Sequence, residues 1–331
     1  MKALNGLFKT GKSLMNITGL HHVTAIASNP QPNLDFYVEL LGLRLVKRTI
    51  NFDDPSSYHF YFGDAVGTPG TILTFFLWPG SRRGIHGSGE VSATAFTIPT
   101  GSAGFWLERL KLYHVTAERA PNRLGEDVVR FADPDGMLIE LIESTPSDAL
   151  VPWSEGPVPA EHLIRGLHGV SARLQSSEET AKLLTEVFGY RRAQETGNRV
   201  RFVAPGEGGT GKFIDLISAP DVRPGRVAAG SVHHIAFRVS NDEEQIGWRE
   251  KLVGLGYQVS PIMDRTYFHS IYFREPGGVL FELATDPPGF TQDEAANELG
   301  ANLRLPPWME QERPEIENIL PKITVPRKAT V

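Results

Sequence analysis

The feature that most constrains this chain is an internal repeat. Four segments open on the same kind of strand: GLHHVTAIA (Gly19–Ala27), EVSATAFTI (Glu90–Ile98), GLHGVSARL (Gly166–Leu174) and SVHHIAFRV (Ser231–Val239). Each alternates as a sheet strand does. Each is followed by a stretch at helical spacing: NLDFYVELLGLRLV, GFWLERLKLY, EETAKLLTEVFGY and DEEQIGWREKLVGLGY. In the first stretch Leu34, Tyr37, Val38 and Leu41 share one side, and Gly42, Gly189 and Gly256 stand where helices should stop. Each segment closes on an apolar strand after a glycine-containing turn: PGTILTFFLWP, DGMLIELIE, GKFIDLIS and GGVLFELAT. Between helix and closing strand lie SYHFYFGDA, DVVRFADP, RVRFVAP and SIYFREP, further strand candidates.

The predicted unit is therefore β-α-β-β-β, repeated four times, and the fold class is α+β. One unit has an apolar sheet face that it cannot bury alone, so units should pair into curved eight-stranded sheets. Consecutive units are expected to pair. This gives a leader at 1–16, a domain of modules one and two at 17–150, a linker at 151–165, a domain of modules three and four at 166–290, and a tail at 291–331. The Pro/Ser/Gly-rich stretch from Thr145 to His162 marks the boundary, and the Pro-rich tail should wrap the surface.

Composition narrows the chemistry. The formal net charge is -6, which gives no reason to expect a nucleic-acid partner. There is no cysteine, so a bound metal must use His, Asp, Glu or backbone oxygen. Asn5, Lys9, Lys12 and Ser13 interrupt any signal-like apolar run, and no stretch reaches the roughly 20 apolar residues that span a bilayer. A soluble, cytoplasmic protein without a membrane partner is expected, and a homo-oligomer is compatible with this reading. Gly6–Ser13 matches the letters of a phosphate-binding loop, but no buried strand precedes it, so it is read as a flexible leader.

Superposing the repeats turns them into a chemical argument. In the opening strands His22 aligns with Ala93, Gly169 and His234; in the closing strands Thr74, Glu140, Asp215 and Glu282 align. Modules one and four thus supply two histidines and a carboxylate. That is the facial-triad set for non-haem Fe(II), which leaves positions open for other ligands. Glu282 lies in the apolar run VLFEL, where a lone carboxylate is costly unless paired or metal-bound. His21 and His233 face the other way in a regular strand, although a bulge can bring either into the site. His168 reads as structural, His86 as a loop residue and His269 as a pocket-lining residue; His59 and His114 are further candidates without an assigned role. Phe76, Trp78 and Phe202 are expected in the pocket wall. The middle modules carry two carboxylates and no imidazole, so one metal per chain is expected, with Glu140 and Asp215 partnered or solvated.

These residues resemble a known group. GLHHVTAI, DFYVELLGLRLVKRTINFDD, YHFYFGDAVGTPGTILTFF, VHHIAF and DRTYFHSIYFREPGGVLFELATDPPGF resemble the vicinal oxygen chelate (glyoxalase/extradiol dioxygenase) superfamily. Within it they are most similar to the hydroquinone ring-cleaving dioxygenases, the group containing 2,6-dichlorohydroquinone 1,2-dioxygenase. The likeness runs from about Ile17 to the C-terminal region and is looser in modules two and three. It implies two vicinal-oxygen-chelate domains and one Fe(II) per chain, held by His22, His234 and Glu282; another divalent ion can replace iron in a recombinant sample. It also implies functional roles for His21, Thr24, His233, Arg265 and Tyr272. The partners would be a small aromatic diol and O2, both of whose atoms enter the product. On this resemblance His233 or His21 moves protons, Arg265 stabilises an anionic oxygen and Tyr272 donates to a bound oxygen. Two other functions stand beside it: a glyoxalase-type metal-dependent lyase or isomerase, and a metal-free protein that binds aromatic ligands. The first usually needs a further carboxylate where this chain has Thr74.

Overall fold

The computed structural model describes residues 15, 17–145, 150, 152–206 and 209–326. The nucleotide-loop-like letters at Gly6–Ser13 lie outside them. Among the described residues sixteen strands form two eight-stranded mixed sheets. Module one runs β1 (Leu20–Ala27), α1 (Pro30–Leu34), β2 (Arg44–Asn51), β3 (Asp54–Gly63) and β4 (Ile72–Leu77). Module two is β5 (Glu90–Ile98), α2 (Ala103–Leu112), β6 (Ala117–Arg123), β7 (Glu126–Ala132) and β8 (Leu138–Glu143). Module three is β9 (Leu167–Leu174), α3 (Glu178–Lys182), β10 (Arg191–Thr196), β11 (Arg199–Val203) and β12 (Phe213–Ser218). Module four is β13 (Ser231–Val239), α4 (Asp242–Gly254), β14 (Met263–Asp264), β15 (Phe268–Arg274) and β16 (Leu280–Pro288).

The α+β fold of four β-α-β-β-β units is as the repeat predicts, but the sheets do not join consecutive modules. One sheet has the order β14-β15-β16-β13-β1-β4-β3-β2, joining modules four and one; the other is β10-β11-β12-β9-β5-β8-β7-β6, joining three and two. The expected sheet pairing of modules one with two and three with four is corrected accordingly. The seams are antiparallel pairs of opening strands, β1 with β13 and β5 with β9. All four opening strands alternate alike, so periodicity cannot say which two share a ladder. The segments joining modules one to two and three to four also run side by side, with bridges from Arg83 to Ala229 and from Ile85 to Arg226.

Both sheets bury one face in a shared core. Trp106 of α2 and Trp248 of α4 are fully buried there, as are Phe75, Phe96 and Phe237 from the strands. Asn241 caps α4 by accepting the Glu244 N–H at 2.9 Å, and Asp242, Glu243 and Glu244 place negative charge in its first turn. Module one's helix is shorter than its spacing suggests. After α1 it continues as a π-helical turn (Asp35–Leu40), and Gly42 at φ 70° turns the chain into β2. A Cβ there would lie 2.6 Å from the Val158 side chain, so the connecting segment packs where only glycine fits.

The tail covers the edge strand β2. Lys47 on β2 is fully buried and paired with Asp293 at 2.6 Å and with Glu294. Leu303 bridges Arg48, and the tail's α5 (Arg313–Ile319) buries Ile316. A charged, covered edge is closed to further strand addition.

Candidate metal centre

Two neighbouring rows across the first sheet build the site. One row reads Tyr272, Glu282, Ala236, His22 and Ile72; the next reads His234, Thr24, Thr74 and Tyr61. Positions two apart on a strand share a face, so both rows look onto the same concave surface. The rows also verify the repeat alignment. Each closing-strand position lies beside the residue two beyond its opening-strand position: Thr74 beside Thr24, Glu140 beside Ala95, Asp215 beside Ser171 and Glu282 beside Ala236.

His22, His234 and Glu282 converge, their ligand atoms within 4.8 Å of one another. Nε2 of His234 lies 2.8 Å and Nε2 of His22 3.3 Å from the same oxygen, Glu282 Oε2. All three side chains are buried. Burial alone would raise the Glu282 carboxyl; the two imidazoles outweigh it and hold it well below the usual carboxylate range. Ser270 donates to Glu282 Oε1 and fixes the carboxylate plane, while Oε2 is buried without a well-aligned hydrogen bond. Two imidazole nitrogens and one such oxygen aimed at a common point, with no thiolate, fit a mononuclear divalent cation.

The neighbouring histidines orient the two histidines of the cluster. His22 Nδ1 meets His21 Nδ1 at 2.9 Å, and His234 Nδ1 meets His233 Nδ1 at 2.7 Å, which leaves both Nε2 atoms for the centre. A register shift between Leu20 and His22 kinks β1 at this point. The two outer histidines differ in access. His21 is buried against Phe268 and is not among the cavity-lining residues, whereas His233 lines the cavity beside Phe76. Burial, reinforced by His234, lowers the His233 pKa to about 3, so this ring is neutral.

The cavity measures ≈ 350 Å³, and its aromatic wall includes Phe52, Phe76, Trp78 and Phe268. Thr24, Arg265 and Tyr272 also line it. Arg265 stands on a tight turn completed by Thr266 at φ 69°, where Asp264 accepts the Thr266 N–H at 2.7 Å. Its guanidinium reaches the Tyr272 hydroxyl at 3.3 Å and Asp53 at 3.4 Å, across the junction of modules one and four. Two expected wall residues are corrected. Phe202 lies on β11 of the other sheet, in the shared core, and His269 lies on the opposite face of β15 from Ser270 and Tyr272, bonded to Asp242 at 2.6 Å. His168 is a satisfied structural residue, 2.9 Å from Glu126 and stacked on Phe213. His86, in its loop, contacts Glu90 at 3.3 Å.

The second sheet carries the same positions without the donors. Where the first sheet has Tyr61 and Tyr272 opposite the closing-strand residue, the second has Arg130 and Arg201. Arg130 donates to Glu140 at 3.1 Å, Arg201 to Asp215 at 2.7 and 2.9 Å, and Arg199 to Asp215 at 2.8 Å. Both carboxylates are thus neutralised by guanidinium groups. Gly169 has a further reason to differ from His22: a Cβ there would lie 2.1 Å from the Phe213 carbonyl oxygen, so no side chain fits. The sequence reading missed these arginines, although they recur at one strand position in modules two and three.

Residues 19–141 and 166–283 match the model of the Glyoxalase/Bleomycin resistance protein/Dioxygenase superfamily. The chain belongs to that superfamily. MhqO of Bacillus subtilis (strain 168), which carries a ring-cleaving dioxygenase name, is 44% identical over 90% of this chain and 94% of its own length. The chlorohydroquinone/hydroquinone 1,2-dioxygenase of Sphingobium indicum is 37% identical, over 91% of this chain and 95% of that protein. A crystal structure of a Bacillus subtilis protein named as a dioxygenase superposes with a TM-score of 0.90 at 43% identity, covering 94% of this chain and 99% of the other. No helix among the described residues is long and apolar enough to cross a membrane.

Proposed function

We propose that the protein is an Fe(II)-dependent, extradiol-type ring-cleaving dioxygenase that acts on a hydroquinone and inserts both atoms of O2. One observation carries the reading: a buried His-His-Glu cluster, joined by no second carboxylate among the described residues, opens onto an aromatic-walled cavity. The names of the similar proteins support it. Thr74, at the position symmetric to Glu282, is a poor ligand, which disfavours the glyoxalase-type lyase. The metal-free binding reading gives no reason for two imidazoles to converge on one buried carboxylate oxygen beside the cavity.

When bound to His22, His234 and Glu282, Fe(II) would supply a centre that acidifies a phenolic hydroxyl and holds it beside O2. The chain's own groups do the rest. Phe76, Trp78, Phe52 and Phe268 clamp the planar ring and exclude water. Neutral His233 accepts at Nδ1 the Nδ1–H that a metal-binding His234 would carry, so its own Nε2–H is left as a hydrogen-bond donor to a substrate oxygen in the cavity; His21, withdrawn from the cavity, orients His22 instead. Arg265 stabilises negative charge that develops on oxygen, with Asp53 and Tyr272 holding its guanidinium. Burial raises the Tyr272 hydroxyl pKa, so it stays protonated and donates.

The test is oxygen uptake by iron-loaded protein across a panel of hydroquinones and catechols, read with product absorbance. Uptake at one O2 per hydroquinone, with catechols slower, supports the proposal. Uptake with neither class contradicts it.

A further inference from the structure

Module one contributes a buried polar chain that the ligand set does not use. His59 Nε2 is 2.8 Å from the Thr74 hydroxyl, and His59 Nδ1 is 3.1 Å from the Tyr61 hydroxyl. The Thr74 hydroxyl donates to Thr24 Oγ1 at 2.9 Å. Thr24, His59 and Tyr61 all line the metal cavity. By the register, His59 is the pseudo-symmetric counterpart of Ser270: each stands two residues before the tyrosine that faces the closing-strand position. Ser270 fixes Glu282, and His59 stands in the same relation to Thr74.

Hydrogen counting gives this chain a direction. A neutral imidazole has one donor and one acceptor, and a hydroxyl has one proton. Burial, reinforced by His22 and His234, lowers the His59 pKa well below its usual value, so the ring is neutral. The Thr74 proton goes to Thr24, so Thr74 must accept from His59 Nε2–H. His59 Nδ1 is then the acceptor for the Tyr61 hydroxyl. Burial raises the Tyr61 pKa, which keeps that hydroxyl a donor. Thr24 Oγ1 receives the Thr74 proton, and its own proton has no acceptor among the described residues.

We infer that His59, anchored by Tyr61, is a positioning residue that fixes the Thr24 hydroxyl as a hydrogen-bond donor to an oxygen of the bound aromatic diol. The inference rests on the proposed function for the identity of the diol. It does not rest on it for the direction of the chain, which belongs to the protein alone. Reversing the chain would send the Thr24 proton to Thr74 and leave the cavity facing an acceptor, which repels the lone pairs of an ionised phenol.

Two measurements test this. Nitrogen-15 spectra of the labelled protein, with His59 assigned by its loss in His59→Gln, should show a neutral ring protonated at Nε2. A ring protonated at Nδ1, or at both nitrogens, overturns the inference whatever the enzyme's reaction is. Calorimetric titration with hydroquinone under nitrogen reads the consequence. His59→Leu should bind roughly tenfold more weakly, the scale of one lost hydrogen bond. His59→Gln, whose amide N–H can replace Nε2–H toward Thr74, should stay within about threefold of wild type. Equal weakening in both variants, or none in His59→Leu, overturns it. Failure of the wild type to bind hydroquinone would count against the proposed function, while the tautomer still decides the direction of the chain.

Discussion

Replacing Arg201 with methionine isolates the device that separates the two sheets. Arg201 is buried, donates twice to Asp215 and once to Glu126, and lies over the Phe213 ring. Methionine keeps much of the packing and removes the charge. Burial pushes the Glu126 carboxyl up, but the hydrogen bonds from His168 and Arg201 outweigh it and hold the pKa at about 2, against 4.5 for the free side chain. At about 1.4 kcal/mol per unit that depression corresponds to about 3 kcal/mol, of which Arg201 supplies roughly half. Asp215 keeps Arg199 but loses a bidentate partner in a buried site. Breaking a buried pair from one side costs about 3–5 kcal/mol, so the total loss at pH 7 should fall in that range. The folded pKa of Glu126 lies below its unfolded value. Its contribution is therefore present above about pH 4.5 and disappears as the pH falls toward 2. Urea unfolding at pH 7 should show the full loss, and the gap between variant and wild type should narrow as the pH drops below about 4. A loss under about 1 kcal/mol, or a gap that does not change with pH, would refute the reasoning.

Gly169→Ala should destabilise by about 2 kcal/mol or more, because a Cβ 2.1 Å from the Phe213 carbonyl forces β9 and β12 apart; a change under about 0.5 kcal/mol in urea unfolding would show that the strands yield freely. Asp133, buried beneath the Tyr37 hydroxyl, has its pKa raised by burial to about 6. That value lies above the unfolded one, so the stabilisation it gives is complete below about pH 4 and is lost as the pH rises through about 6. Asp133→Asn should therefore flatten the stability profile between pH 4 and pH 7, and a slope equal to wild type would contradict the assignment. Lys47→Met should cost about 3–5 kcal/mol by leaving Asp293 and Glu294 facing a buried apolar side chain, with thermal unfolding as the readout; an unchanged melting temperature would show that the tail is held by other contacts.

The His-His-Glu cluster proposed as the ligand set was legible in the sequence as a repeat-register pattern. His22 and His234 occupy one repeat position, Glu282 occupies another, and the constant offset of two between opening and closing strands keeps them on one face. The sheet pairing was not legible. Pairing β1 with β13 is a contact between strands far apart in the sequence, decided by how two modules pack, and alternation within either strand is silent about it. The histidine placement did carry a hint, since a cluster drawn from modules one and four requires those modules to be neighbours. His21 and His233 could not be separated from sequence, because the kink at Leu20–His22 and the position of Phe268 decide which ring reaches the cavity. In the run YHFYF, Tyr61 was not singled out and His59 stood as a candidate without a role, because alternation marks a strand but not its partner; the ladder to Thr74 reveals what the hydroxyl and imidazole do. The helix after β1 ended early because Gly42 must turn beneath Val158, a contact made by a segment more than a hundred residues later.

The central claim is a single metal site built from the first and fourth modules. Metal content per chain, measured by elemental analysis after anaerobic loading with Fe(II), tests it most directly when wild type is compared with Glu282→Ala. Removing the carboxylate leaves two buried imidazoles and no anionic donor, while Glu140 and Asp215 stay locked to Arg130 and Arg201. The account predicts a ratio near one that falls close to zero in the variant. A ratio near two, or a variant that keeps half its iron, would show that the second sheet binds metal despite its arginines and would contradict the account.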